Sequence, residues 1–282
     1  MSFFDFDERI IPLDTWIQSG VDKLVENYRD VFQIMKMPVE VSLNGVVWVL
    51  TYLHPLIIIA ALCAAAYRYS GRKLAVFTAL TLMLTGMLGL WEETMITLAM
   101  VFCSVLFCAV AGIPLGILAG RSDRFEGFIR PFLDAMQTTP AFVYLVPVVM
   151  LFSIGTVSGI LATIVFAMPP IIRLTSLGIR HVHPELVEAA ESFGATPFQV
   201  LRRVQIPLAM PSIMAGLNQT IMMSLSMVVI AALIGAGGLG MPVFLGLNTL
   251  DIGLATIGGL CIVLLAMVLD RITQGMGTVK RK

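Results

Sequence analysis

Side chains that could carry acid–base or nucleophilic chemistry are sparse in this chain of 282 residues. Its apolar segments contain no Ser/His/Asp arrangement, no HExxH motif and no pair of carboxylates at helical spacing. His54 is the one imidazole in such a segment, and its position beside Pro55 favours a packing or kink role. The other titratable groups are interpreted as edge residues: Glu92, Glu93, Asp134, Arg173, Asp251 and Asp270. This distribution argues against an intramembrane hydrolase and against a proton-driven carrier.

Phosphate and metal chemistry are not indicated either. The sequence has no GxxxxGK[ST] loop, so nucleotide hydrolysis is not expected in this chain. Gly235–Gly240 fits GxGxxG, but it follows an apolar helix instead of a strand, which favours a close-packed turn over a dinucleotide site. The four cysteines lie in apolar runs without CxxC spacing. We therefore expect no cofactor, no metal and no nucleic-acid partner.

Uncharged polar residues are the main polar groups inside the apolar segments. They are Asn218, Gln219, Thr220, Ser224 and Ser226, with Gln137, Thr138 and Thr139 before another segment. Such groups cost several kcal/mol in lipid unless they are satisfied, so they should face protein or a water-filled path. Hydrogen bonding between helices and the lining of a pathway both remain open.

Residues 180–210 form a polar loop with strong helix signals. Pro184 suits the first turn of a helix, and Glu185, Glu188 and Glu191 recur every three residues along it. Gly194 is a typical stop signal. Thr196-Pro197-Phe198-Gln199 is a capping box, which predicts a second short helix after the glycine. The apolar segments on both sides argue against a DNA-binding helix-turn-helix.

Composition shows which elements must position these residues. Charged residues make up 13% of the chain and hydrophobic residues 58%, which indicates an all-α polytopic membrane protein. Seven spans are predicted, at Leu43–Tyr67, Leu74–Leu90, Met95–Ala119, Ala141–Ile154, Val157–Ile172, Ile213–Ile234 and Ile252–Leu269. The first contains His54-Pro55, so an interfacial helix followed by a span is an alternative. The prolines of the fourth and fifth predict bent or broken helices.

The basic residues predict the orientation. Alternate loops carry Lys or Arg, and these loops are expected in the cytoplasm together with the C-terminus. An odd number of spans then places the N-terminal tail outside. With this topology the outer side has four basic and eleven acidic residues, and the inner side has fourteen basic and seven acidic ones. The net charge of zero therefore conceals a strong separation of charge across the membrane.

The N-terminal tail, residues 1–40, has the pattern of an amphipathic helix. Its apolar residues recur at steps of three and four, at Ile17, Val21, Leu24, Val25, Tyr28, Val31, Phe32 and Met35. A helix that rests on the outer membrane surface and contact with an external partner protein are both possible interpretations. Residues 41–92 are expected to hold the N-terminal spans, and residues 93–282 the core with the 180–210 loop.

The loop resembles the EAA loop of ABC importer permeases. That pattern is EAA, three residues, Gly, nine residues and Ile-x-Leu-Pro. Here it is Glu188-Ala189-Ala190, Gly194 and Val204-Gln205-Ile206-Pro207, with two conservative changes. The resemblance extends over roughly Leu90 to Asp270. Three longer runs are similar to the glycine betaine/proline betaine and choline permeases: Met136–Phe152, Pro169–Arg180 and Asn218–Gly240.

The resemblance implies a type I importer fold in the inner membrane. It also implies a second copy of the chain, cytoplasmic ATPase subunits that hold ATP and Mg²⁺, and an external substrate-binding protein. Contact with the ATPase would involve Glu188, Ala189, Ala190, Gly194 and Pro207. Because a quaternary ammonium ion suits aromatic faces and neutral oxygens, the expected path residues are Phe142, Tyr144, Asn218 and Gln219. An ion-coupled secondary transporter and a membrane-tethered regulator are the alternatives.

Overall fold

The protein is described by a computed structural model that covers residues 12–277, with the side chains of several residues between 13 and 30 excepted. Within those residues the fold is all-α, as expected. The helices are α1 (Leu13–Tyr52), α2 (Pro55–Ser70), α3 (Arg72–Met87), α4 (Trp91–Arg121), α5 (Asp123–Thr138), α6 (Leu145–Phe152), α7 (Thr156–Arg180), α8 (Pro184–Ser192), α9 (Pro197–Val200), α10 (Ile206–Ile230), α11 (Gly240–Thr249) and α12 (Ile252–Gly277). Two 3₁₀ turns, Ala141–Tyr144 and Ala231–Ile234, and a π-helical segment, Leu201–Gln205, complete them.

The described helices include fewer candidate membrane spans than the seven that the sequence predicts. Five are long and apolar enough to cross a bilayer: Val31–Tyr52, Trp91–Arg121, Thr156–Arg180, Pro197–Ile234 and Ile252–Gly277. A sixth is possible if α5 and the bent segment after it act together. The helices α2 and α3 have 16 residues each, which gives about 24 Å at 1.5 Å per residue, short of the roughly 30 Å hydrocarbon core.

The first predicted span, Leu43–Tyr67, is wrong as a single helix. Leu53 is extended, with ψ of 140°, and the chain restarts at Pro55. A ring nitrogen of His54 accepts a hydrogen bond from the Leu56 N–H at 3.4 Å, so this histidine caps α2. The residue before a proline is disfavoured in the helical region, which explains why the apolar run breaks here.

The fourth predicted span, Ala141–Ile154, is also not one regular helix. It consists of the first 3₁₀ turn and the eight-residue α6. The helix α5 precedes it at an angle of 108°, because Pro140 holds Thr139 in an extended conformation between them. The bend that the prolines predict is therefore confirmed for the fourth span. The fifth span, by contrast, lies within the continuous helix α7, which contains Pro169 and Pro170.

Three long helices, α4, α7 and α10, form the centre of the bundle. Because α4 and α7 run parallel and α10 runs antiparallel to both, α4 and α7 begin where α10 ends. We call this the Trp91 end and the opposite one, where α4 and α7 end, the Arg121 end. Glu92 and Glu93 lie in the first turn of α4 at the Trp91 end, whereas Arg121 and Arg180 end their helices at the other.

Glycines bring α7 close to its neighbours. Along α4, a Cβ on Gly112, Gly116 or Gly120 would lie 2.5–2.8 Å from side chains of α7. On the opposite side of α7, a Cβ on Gly178 would lie 2.8 Å from Ser212 of α10. Small residues at four-residue spacing let helix backbones approach closely in membranes. The helix α7 is thus packed against α4 on one side and α10 on the other, with no room for a methyl group at these glycines.

The helix α1 lies across the Trp91 end. Its Phe32 ring meets Phe152, the last residue of α6, at 5.6 Å between centroids. Its C-terminal part packs through Leu50 against a cluster that includes Met95, in the first turns of α4. Both parts of α1 therefore contact the same end of the bundle. The backbone is helical where the amphipathic pattern predicts a helix, with a kink at Tyr28, but the side chains of Ile17, Val21, Leu24 and Val25 lie outside the described part.

Candidate functional site

The helix α8 carries the residues of the EAA pattern and projects from the bundle. Pro184 is its first residue, after His183, and none of its residues is buried. Glu188 and Ala189 are exposed, and Ala190 is half-buried. Exposed apolar side chains surround them: Leu186 on α8, Phe193 at its end and Phe198 beyond it, with Phe193 93% exposed. Acidic and apolar groups on one projecting helix form a surface suited to another protein.

Gly194 ends α8 as predicted. Its φ is +80°, and its N–H donates to the carbonyl of Glu191 at 2.8 Å. The next N–H, of Ala195, donates to the carbonyl of Ala190 at 3.1 Å. These two bonds define a Schellman motif, which requires a left-handed residue at the position of the glycine. A side chain at residue 194 would strain the turn that sets the direction of α8.

The capping box at Thr196 is also confirmed. The Thr196 N–H donates to Oε1 of Gln199 at 2.8 Å, and the Gln199 N–H donates back to the Thr196 hydroxyl at 3.4 Å. Pro197 takes the first helical position. A new helix therefore starts three residues after Gly194.

The second short helix, α9, is not separated from α10 by a further loop. After Val200 the chain enters the π-helical segment Leu201–Gln205 and continues into α10. The N–H of Ile206 donates to the carbonyl of Leu201, five residues back. Pro207 has no N–H, so it cannot close an ordinary α-helical bond, and one wider turn accommodates it. The loop is thus directly joined to the long helix α10.

Arg180 fixes the other side of the loop. It is the last residue of α7, and it pairs with Asp123 and Glu126 of α5, each at 2.6 Å. Its guanidinium also donates to the carbonyl of Ala119 in α4 at 2.8 Å. The carbonyl is one of those left open at the end of α4. The helix α8 is therefore connected at one end to α7, which Arg180 ties to the α4–α5 junction, and at the other end to α10.

The aromatic residues proposed for the path lie near the bend between α5 and α6. The Tyr144 hydroxyl donates to the carbonyl of Met136 at 2.6 Å, at the C-terminus of α5. Its ring packs against Phe166 of α7, with centroids 6.3 Å apart. Phe142, by contrast, is 60% exposed. Tyr144 thus stabilises the bend, while Phe142 presents an open aromatic face.

Asn218 and Gln219 lie on α10, closer to the Arg121 end than Tyr144 does. The Asn218 amide donates to Asp270 of α12 at 3.0 Å and accepts from the Thr273 hydroxyl. Gln274 donates to both oxygens of the same carboxylate at 2.8 Å. Asp270 is half-buried within α12, which extends beyond the predicted span to Gly277.

Both amide residues line a cavity between α7, α10 and α12. Its volume is about 490 Å³, and Met214 and Leu174 line it as well. The aromatic pair lies elsewhere, because Tyr144 packs in the same cluster as Met227 of α10. Nine residues separate Asn218 from Met227, or about 13 Å along the helix. The four path candidates therefore form two groups at different depths.

Comparison with known proteins identifies this architecture. Residues 112–277 match a family described as "Binding-protein-dependent transport system inner membrane component". The matched region extends from the glycine stripe of α4 through the loop to the end of α12.

The chain belongs to this family.

Two relatives show how closely this permease resembles named transport proteins. It is 53% identical over 272 residues to ProW, the glycine betaine/proline betaine transport system permease protein of Escherichia coli (strain K12). That match covers 96% of this chain and 77% of the relative. It is 42% identical over 272 residues to OpuAB, the glycine betaine transport system permease protein of Bacillus subtilis (strain 168), with 96% of both chains covered.

A solved structure confirms the fold of the permease. The inward-facing MetNI methionine ABC transporter has a chain that is 28% identical, with a TM-score of 0.54. The alignment covers 64% of the permease and 89% of that chain. The expected type I importer fold is therefore present. The protein is a multi-pass permease subunit of an ABC transporter of the inner membrane.

Sequence reasoning missed two residues that organise the site of the permease. Asp270 holds Asn218, and a carboxylate in an apolar helix alongside an Asn on another helix could have indicated the pair. Arg180 fixes the end of α7, but the sequence does not tell which of the nearby acids it contacts, because this depends on how α5 folds back.

Proposed function

We propose that this permease forms the translocation path of an ATP-driven importer for a quaternary ammonium compound, either choline or glycine betaine. The observation that carries the proposal is its 53% identity over 96% of the chain to a glycine betaine/proline betaine permease. The chain has no nucleotide-binding loop of its own, which supports an energy source on a partner subunit.

The exposed helix α8 is the proposed contact with a cytoplasmic ATPase, which would hold ATP and Mg²⁺. Glu188, Ala189 and Ala190 lie on α8, Gly194 sets its direction, and Pro207 lies where the π-helical segment joins α10. Because the chain is helical from Pro197 to Ile234, a displacement of α8 would tilt or shift α10 as a unit. This would open or close the space between α10 and its neighbours.

A permeating quaternary ammonium ion has no N–H to donate, so it needs aromatic faces or neutral oxygens. Phe142 presents such a face, and Gln219 lines the cavity beside Met214. Asn218 is engaged with Asp270, which supports a role in shaping that cavity together with Gln219. Selection among solutes would rest mainly on an external binding protein, and two copies of the permease would enclose the path.

The proposed orientation places the Arg121 end in the cytoplasm and the N-terminus outside. Basic residues mark the Arg121 end, and Glu92 and Glu93 the other. The position of α1 supports this topology. Since both of its parts contact the Trp91 end, α1 need not cross the membrane even though Val31–Tyr52 is long enough to do so.

Uptake in reconstituted liposomes tests the function. The permease is reconstituted with its ATPase and binding protein, and labelled choline or glycine betaine is supplied outside. We expect uptake only when ATP, ATPase and binding protein are all present. In the same vesicles, a maleimide that does not cross the bilayer should label Glu92→Cys from the side on which the binding protein acts.

Uptake by the permease alone, driven by an ion gradient, would contradict the proposal and favour the secondary transporter. Co-purification with a soluble protein that is not an ATPase, without any uptake, would favour the regulator instead.

A further inference from the structure

A basic groove lies at the Arg121 end, between the α2–α3 turn and the last part of α12. It has a volume of about 690 Å³, and its lining includes Tyr69, Ser70, Lys73, Leu74, Phe77 and Arg271. The groove adjoins the cavity at Asn218, with which it shares Gln274, but its other lining residues are different.

The groove is built by specific contacts and is not a chance gap between helices. The Ser70 hydroxyl donates to the carbonyl of Arg271 at 2.7 Å, which ties the end of α2 to α12. A Cβ at Gly275 would lie 2.7 Å from the carbonyl oxygen of Tyr69, so the two backbones meet there without an intervening side chain. These contacts join the α2–α3 turn to α12, so Lys73 of α3 and Arg271 of α12 line the same groove.

The charge of the groove is uniformly positive. Lys73 and Arg271 line it, and Arg68 and Arg72 flank it on the same turn. No acidic residue lines the groove, and none of these four cations has an ion pair among residues 12–277. Asp270, the neighbour of Arg271, accepts hydrogen bonds from Asn218 and Gln274. Four cations without a carboxylate partner favour an anionic ligand.

Apolar faces extend from the groove toward the middle of the bundle. On α3, Phe77 and Leu80 follow Lys73 at steps of four and three, and Leu80 is 63% exposed. On α12, Met267 and Val263 precede Arg271 at steps of four and are 41% and 54% exposed. Residues at such spacing share one face of a helix. A cationic pocket that continues into two exposed apolar stripes matches a phosphate headgroup with its acyl chains.

We propose that this groove binds the phosphate headgroup of an anionic phospholipid. Lys73 and Arg271 contact the phosphate, and the acyl chains lie along the stripes of α3 and α12. The same chemistry could attract free phosphate, but only a lipid would use the apolar stripes. Basic pockets between transmembrane helices are known to take such headgroups. The bound lipid would fasten the α2–α3 hairpin to α12.

Native mass spectrometry of the full-length permease in a neutral detergent tests the proposal. The probes are phosphatidylglycerol and phosphatidylcholine with the same acyl chains. We expect phosphatidylglycerol to be retained in preference to phosphatidylcholine. The double variant K73Q/R271Q should lower phosphatidylglycerol affinity by roughly 25-fold, about five-fold for each cation removed.

The matched control is R121Q/R124Q, which removes two exposed cations from the same end without touching the groove. It should leave lipid retention unchanged, and an equal loss in both variants would overturn the proposal. K73R/R271K should retain the lipid, which separates loss of charge from failure to fold. If K73R/R271K is folded and does not retain it, the proposal is wrong. If the permease retains phosphatidylglycerol no better than phosphatidylcholine, while inorganic phosphate binds in a manner that depends on Lys73 and Arg271, the groove takes free phosphate and the lipid proposal is wrong.

Discussion

Asn218, one of the residues proposed for the translocation path, is held in place by Asp270 of α12. Its amide donates to Asp270 and accepts from Thr273, so two of its hydrogen-bonding groups are already used. The carboxylate also accepts two bonds from Gln274. Asp270 therefore fixes both the position of the amide and the spacing between α10 and α12. Among residues 12–277 it has no ion pair, and three donated hydrogen bonds stabilise its charge.

The residue-scale prediction concerns this pair. Asp270→Ala leaves the Asn218 amide without its acceptor inside the bundle, so the variant should lose about 1–3 kcal/mol of stability. Asn218→Ala should also be destabilising. Because the two residues share one hydrogen bond, the double variant should cost about 1 kcal/mol less than the sum of the single ones. Unfolding in detergent measures all three variants, and strictly additive losses would show that the two side chains act independently.

At the scale of elements, the position of α7 depends on glycines of α4 that have no side chain at the contact. Gly116 faces Thr175 and the carbonyl of Ile172, and a Cβ there would lie 2.6–2.7 Å from both. Such a distance cannot be relieved by turning one flexible side chain, since one of the atoms belongs to the backbone. The spacing of α4 and α7 therefore depends directly on this glycine.

Gly116→Ala should consequently lower stability by about 1–3 kcal/mol, the usual cost of overpacking. The matched control is Gly259→Ala, in the helix α12, where a Cβ has nothing within 4 Å. That substitution should leave stability unchanged or raise it by up to about 1 kcal/mol, because alanine favours the helix. Thermal unfolding of both variants decides the matter, and a Gly116→Ala protein as stable as the Gly259→Ala protein would refute the packing argument.

Local signals in the sequence were sufficient for some elements and not for others. The Schellman turn at Gly194 and the capping box at Thr196 depend on neighbouring residues alone, and both could be predicted. The extent of the first helix could not, because an apolar run does not show whether His54-Pro55 bends or ends it. The sequence also carried no sign of the π-helical segment Leu201–Gln205, which joins the loop to α10 just before Pro207. The partners of Asn218 depend on the packing of distant helices.

The whole molecule separates its charges between two ends. The ends of α4 and α7 carry Arg121 and Arg180, and the loop extends beyond them. The opposite end holds the first-turn acids of α4 and is covered by α1. In an importer, this arrangement would present α8 to the side where ATP is available. It would leave the acidic end for the binding protein.

The central claim is that α8 transmits the work of an ATPase to α7 and α10. The coupling ratio, solute molecules imported per ATP hydrolysed, tests it most directly in proteoliposomes that contain the complete transporter. In Glu188→Gln and Gly194→Val the account predicts a ratio lowered by about ten-fold, within the usual range for coupling between sites. The control Glu92→Gln, an exposed acid at the opposite end, should keep the original ratio. An unchanged ratio with both loop residues replaced would contradict the account.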